Sequence, residues 1–272
     1  MISRMRCGLA WVALGLSVSI AGCQSVQTTR GGEVGVERRQ TMLVSSAEVD
    51  AASKQQYAQI LEEAQKKSTL NRDPATTDRV RKIAQRLIPH TAVFRDDAPR
   101  WQWEVNVLTS TDVNAWCMPG GKIAVYTGLI EKLKISDDEL AAVMGHEISH
   151  ALREHARERM TRQAFTGVGV AVVEVLTGVQ LGDAGQMLAQ SMFVLPNSRE
   201  SEQEADRIGV ELAARAGYDP RAAVALWNKM QSLGGSQPPQ WLSTHPSHES
   251  RVKDLQNYSQ RVLPLYEKAA KS

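Results

Sequence analysis

Apolar and polar positions along this chain recur with two periods, and the elements they predict are mostly helices. Ser45 and Glu48 form a capping box ahead of Tyr57, Ile60, Leu61 and Ala64 at helical spacing, which predicts a helix over about 46–67. Asp73-Pro74 starts a second helix, whose stripe of Val80, Ile83, Ala84 and Leu87 runs to a stop at Pro89. The period then drops to two. Trp101 to Leu108 alternates as a strand, and Val113 to Met118 with Lys122 to Thr127 reads as a hairpin turned at Pro119-Gly120-Gly121. Gly128 to Leu133 reads as a short helix. A better marked one follows: Ser136 and Glu139 form a capping box, Asp137 and Asp138 charge the first turn, and Leu140, Val143, Met144 and Ile148 give apolar spacing. Between Ala164 and Leu195 the apolar centre Gly167-Val168-Gly169-Val170-Ala171-Val172-Val173 is short for a membrane-inserting hairpin and is interrupted by Glu174, Gln180 and Asp183, which favours a buried helical pair or a mobile cleft cover. An acid-rich helix starts after Ser198, and Gly217-Tyr218-Asp219-Pro220 separates it from another over Ala222 to Met230. A loop over 234–240 and a surface helix with a tail from Ser247 complete the chain. The fold class is therefore α+β, mainly helical with a small β-sheet.

At 272 residues, 42% hydrophobic and 23% charged, the chain suits one sizeable domain with a full core. A net charge of +2 favours no nucleic acid partner. The first residues say more about location. Arg4 and Arg6 precede an apolar run from Leu9 to Ile20, shorter than the roughly 20 residues a membrane span needs. It ends in Ile20-Ala21-Gly22-Cys23, which resembles the bacterial lipobox and implies that Cys23 is lipidated. The expected division is a lipoprotein signal over 1–22, a polar, Gly-containing lipidated tether over 23–40 that is poorly ordered, and a body over 41–272. Gln24 rather than Asp follows Cys23, and the resemblance to sorted lipoproteins then implies the periplasmic side of the outer membrane. Of the three cysteines only Cys117 then remains in the body, which excludes a disulfide within the chain and reads as a small apolar side chain.

Candidate chemistry changes the picture at Gly145-His146-Glu147-Ile148-Ser149-His150. Residues four apart share a helix face, so His146 and His150 can hold one ion while Glu147 exchanges a proton with a water that the metal activates. A tetrahedral catalytic zinc needs a third protein ligand. A histidine on the same helix would require glycine three and histidine six residues after His150, where the chain has Arg153 and Ala156; His155 points off the ligand face. The better source is Ser198-Arg199-Glu200-Ser201-Glu202-Gln203-Glu204-Ala205-Asp206-Arg207-Ile208-Gly209. Glu202 and Asp206 lie four apart there, so Glu202 can bind zinc while Asp206 orients a ligand histidine through its other nitrogen.

These two motifs resemble those of the zinc metalloprotease family that includes HtpX, the mitochondrial Oma protease and the CAAX prenyl proteases, and more narrowly its bacterial periplasmic lipoprotein branch, with BepA and LoiP. The resemblance runs from about Val105 to Arg251. It implies a zincin-like domain with one zinc held by His146, His150 and Glu202, with Glu147 as general base and Asp206 behind the ligands. It also implies that Asn114-Ala115-Trp116 is an edge strand lining the cleft, to which an extended substrate adds. Thr244-His245-Pro246 resembles the family's C-terminal signature, so His245 is expected at the zinc, stabilising an oxyanion or latching the open position. His248 and Arg251 are weaker candidates, Arg251 as a structural residue. The function implied is a zinc metalloendopeptidase acting on misfolded or stalled envelope polypeptides; the competing class is a chaperone-like assembly factor for outer-membrane proteins with a latched or structural zinc site.

Overall fold

The computed structural model describes residues 24–166, 181–233, 240–246, 249–269 and 271. The expected signal over 1–22, Cys23, His248, the 167–173 apolar centre and the loop over 234–239 lie outside the described residues. Strands β1 (Gln24–Val26) and β2 (Gln40–Met42) pair antiparallel and precede the body of the fold. Helix α1 (Ser46–Lys66) starts at the Ser45/Glu48 capping box, and α2 (Pro74–Leu87) at Asp73, whose carboxylate accepts from the Ala75 and Thr76 amides.

Strands β3 (Glu104–Leu108), β4 (Ala115–Met118) and β5 (Lys122–Tyr126) form a sheet in the order β3-β5-β4, with β3 parallel and β4 antiparallel to β5. Strand β4 is thus an edge. Its turn needs glycine, because Gly120 and Gly121 have φ of +76° and +83°, where L side chains are strained. The strand expected from Trp101 starts only at Glu104, since Trp101 and Trp103 stack on each other at 5.4 Å instead of pairing.

Helices α3 (Thr127–Leu133), α4 (Asp137–Leu152) and α5 (His155–Thr166) follow. Then come α6 (Leu181–Phe193), α7 (Arg199–Arg215), α8 (Ala222–Ser232), α9 (Gln240–Thr244) and α10 (Glu249–Ala269). Every residue of α4 from Leu140 to Leu152 is buried, as in a central core helix. It is flanked by β4, α2, α7 and α8. The crossing with α7 is backbone on backbone: a Cβ on Gly145 would stand 2.8 Å from the Gly209 carbonyl, and one on Gly209 2.8 Å from the His146 amide. Two glycines therefore set how closely the helices carrying His146 and Glu202 approach. Among the described residues no helix is long and apolar enough to cross a membrane.

Two expectations need correction. The stretch over 23–40 is not a loose tether: from Gln24 it runs over the body as a strap, with Val34 and Val36 in the main core and Gln40 buried. Several of its polar groups are paired with the body, the Val34 amide with Glu211, Arg38 with Glu158 and Glu204, and Gln40 with the Arg153 carbonyl. The last helix, α10, is not merely a surface element either. Leu255 and Val262 join the core, and Arg251 is fully buried against α7.

Candidate metal centre

Helix α4 presents His146, Glu147 and His150 on successive turns, α7 presents Glu202 and Asp206, and α9 ends beside His245. One ligand atom from each of His146, His150, Glu202 and His245 lies within 4.8 Å of the others. His150 Nε2 is 3.0 Å from His146 Nε2 and 3.3 Å from Glu202 Oε1, and His146 Nε2 is 3.6 Å from Glu202 Oε2. His245 Nε2 stands 4.0 Å from Glu202 Oε1 and 3.5 Å from Glu147 Oε1.

Proton bookkeeping decides what these atoms can do. His146 Nδ1–H donates to Asp206 at 2.9 Å, which leaves Nε2 as a bare lone pair. His155 Nε2–H donates to Glu204 at 3.0 Å, so its Nδ1 is an acceptor, and His150 Nδ1–H donates to it at 2.8 Å. His245 Nδ1–H donates to the Trp241 carbonyl at 3.0 Å. Three imidazole lone pairs and a carboxylate therefore face one point. Glu202 is completely buried, its Oε1 lacks a well-formed hydrogen bond, and its charge is offset by the Arg251 guanidinium, 2.5 Å from Oε2, and by the neighbouring imidazoles. Lone pairs 3.0 Å apart beside an unsatisfied carboxylate repel, and a cation between them removes the repulsion. Three nitrogens and one carboxylate oxygen suit a divalent transition metal.

At His150, His245 and Glu202 the electrostatics agree with this ligand set. Burial, then the neighbouring His146, pushes the His150 imidazole well below its usual range, and burial does the same to His245, which keeps both neutral as ligation requires. His146 moves the other way: burial opposes its charge, but the Asp206 hydrogen bond and nearby acids outweigh it. Burial would raise Glu202, yet Arg251 and the imidazoles hold it below the ordinary carboxylate range. Glu147, buried and outside the ligand set, is pushed up to about 7 by burial, and its Oε1 accepts from Trp241 Nε1 at 2.8 Å. Arg251 also grips both Asp206 oxygens at 2.7 Å, so it serves the centre directly rather than distant packing.

His155, Glu204 and Trp241 are the residues that sequence reasoning missed. His155 does lie outside the ligand cluster, as its spacing implied. It nonetheless reaches back under His150, because Glu154 breaks the helix in the left-handed region, with φ of +52°. The only signal for Glu204 was its place in the acidic run between Glu202 and Asp206.

The cleft beside the centre is lined by Asn114, Ala115, Trp116 and Cys117 of the β4 segment, and by Glu147, His150 and Arg159. Asn114, Ala115 and Trp116 are all buried, and Phe193 of α6 meets the Trp116 ring edge-on at 5.6 Å. Cys117 is buried too, and burial pushes its thiol well above the usual range, which leaves it a small apolar side chain.

A His-Glu-x-x-His helix crossed by a helix bearing a glutamate four residues before an aspartate is a candidate metal site in a zincin-like domain. The chain belongs to peptidase family M48, whose profile matches residues 74–259. It is 41% identical over 166 residues to the mitochondrial metalloendopeptidase OMA1 of Arabidopsis thaliana, covering 60% of this chain and 33% of that protein. It is 33% identical over 213 residues to the OMA1 metalloendopeptidase of Bos taurus, covering 72% and 40%. To the beta-barrel assembly-enhancing protease of Escherichia coli K12 it is 29% identical over 204 residues, covering 71% and 41%. The matched regions thus span less than half of these relatives' own length.

Proposed function

We propose that this protein is a zinc-dependent metalloendopeptidase of cell-envelope quality control. The observation that carries the reading is the convergence of three imidazole lone pairs and the unsatisfied Glu202 beside a buried, protonatable Glu147. His146, His150 and Glu202 hold the ion, and Asp206 keeps the His146 tautomer fixed. When bound, zinc supplies Lewis acidity to the scissile carbonyl and to a water. Glu147 takes the proton of that water and later delivers it to the leaving amine, a role suited by its raised pKa and by Trp241, which fixes its carboxylate. The substrate lies extended along Asn114-Ala115-Trp116, adding as a strand at the β4 edge.

His245 closes the ligand set in this conformation, which favours the latch over the oxyanion role. The same closure, with Phe193 on Trp116, is the observation that favours the second reading, an assembly factor with a latched site. Substrates are misfolded or stalled envelope polypeptides, and outer-membrane assembly machinery is the candidate partner. What supports this is the likeness to a protease named for beta-barrel assembly, together with the Cys23 pattern, which anchors the protein by lipid to the periplasmic side of the outer membrane. Zinc content and casein cleavage test the reading. One zinc per chain is expected, with cleavage lost in Glu147→Gln and Glu202→Ala and zinc weakened only in the latter. Full zinc without cleavage, even in His245→Ala, selects the assembly factor. Fatty-acid labelling that survives Cys23→Ala removes the anchor.

A further inference from the structure

Among the described residues the fully buried arginines, Arg153 and Arg251, are saturated, whereas the half-buried Arg159 has buried donors that are not. Arg153, fully buried, bonds Glu204, Thr28, Thr29 and the Arg38 carbonyl. Arg251 bonds Asp206 and pairs with Glu202. Arg159 differs: its Nε and Nη1 are shut off from solvent and have no hydrogen-bond partner, although the side chain lines the cleft beside Glu147 and His150. The acids whose field reaches it are committed elsewhere, Glu158 to Arg38 and Gln40, Glu202 to Arg251, and Glu147 to Trp241. A guanidinium cannot shed its proton, so it stays charged, and a buried charge without a counter-charge is costly. The same cleft holds an orphan acceptor, the buried Asn197 Oδ1. A site with two free donors on one guanidinium and a free acceptor is incomplete until a polar chain fills it.

We propose that Arg159 is a specificity-determining residue that binds a carboxylate of the substrate polypeptide, an Asp or Glu side chain or the chain's C-terminus. The inference rests on the peptidase reading of this cleft. A carboxylate accepts from one of the free N–H groups and supplies the formal charge that a main-chain carbonyl lacks. Asn197 Oδ1 then accepts an N–H of the same chain.

The test uses the full zinc-loaded chain and peptides alike except for Asp, Asn or Lys at each position in turn, with free or amidated C-termini. Cleavage is read as kcat/KM, and binding as Kd to the Glu147→Gln protein. The wild type is expected to prefer Asp over Asn at one position, or a free over an amidated terminus, by on the order of tenfold or more. Which of the two appears assigns the source of the carboxylate. Arg159→Gln should abolish the preference, Arg159→Lys keep part of it, and Arg159→Glu turn it towards Lys. No preference in the wild type, one that survives Arg159→Gln, or an equal loss on all peptides overturns the proposal. Arg159-dependent binding without any cleavage would instead remove the peptidase reading and leave the carboxylate site standing.

Discussion

His150 shows how a ligand depends on residues that never touch the ion. Its Nδ1 proton goes to His155, and His155 is held in the accepting tautomer by Glu204. Were His155 absent, His150 could rotate or protonate at Nε2, the nitrogen the ion requires. His155→Ala should therefore weaken zinc binding about 10- to 100-fold, measured by competition with a chromophoric chelator, while the far-ultraviolet circular dichroism stays native. Unchanged affinity would reduce His155 to a packing residue. At this scale the sequence exposed what recurs at fixed spacing: His146, Glu147 and His150 on one helix, Glu202 and Asp206 on another. It hid what depends on a break in that spacing. Glu154 in the left-handed region, which turns His155 back beneath His150, has no signature in a chain where such turns usually carry glycine or asparagine.

At the scale of elements, the crossing of α4 and α7 leaves no room for a side chain. Gly209→Ala would press a methyl to 2.8 Å from the His146 amide, and the neighbour there is backbone that cannot swing away. The helices must separate, at a cost of about 1–3 kcal/mol or more. A lowered melting temperature together with weakened zinc affinity is the expected outcome; a loss of stability with native zinc affinity would show that the ligands tolerate the shift. The helices themselves were legible because capping boxes and apolar stripes are local: Ser45 with Glu48, Asp73 with Pro74 and Ser136 with Glu139 all start helices as read. The role of α10 was not, since Arg251 meets Glu202 and Asp206 across 45 to 49 positions of chain, a contact periodicity cannot encode.

Across the whole molecule, the strap over 24–42 is where composition misled. Polar, Gly-containing sequence reads as solvated chain, yet here two of its polar side chains find buried partners: Arg38 sits between Glu158 and Glu204, and Gln40 donates to both the Arg153 carbonyl and Glu158. Burial would raise the Glu158 carboxyl, but hydrogen bonds from Arg38 and Gln40 bring it down to about 2 from an ordinary 4.5. A folded-state pKa below the unfolded one means stability that is present above about pH 4.5 and lost as pH falls through about 2. The strap should therefore loosen on acidification across that window, seen as faster hydrogen exchange at residues 34–40. Arg38→Gln should loosen it already at neutral pH, with trypsin cutting after Arg39. Equal protection in the variant at pH 7 would show that Val34 and Val36 hold the strap without the ion pairs.

Arg38 and Arg153 on one side, and His155 on the other, share the single carboxylate of Glu204, and His155 carries the contact on to His150. Strap and metal are thereby joined by linkage. Whatever factor strap docking adds to the affinity for the ion, the ion returns in full to docking of the strap. A coupling through Glu204 would make a segment far from the chemistry along the chain report on whether the centre is loaded.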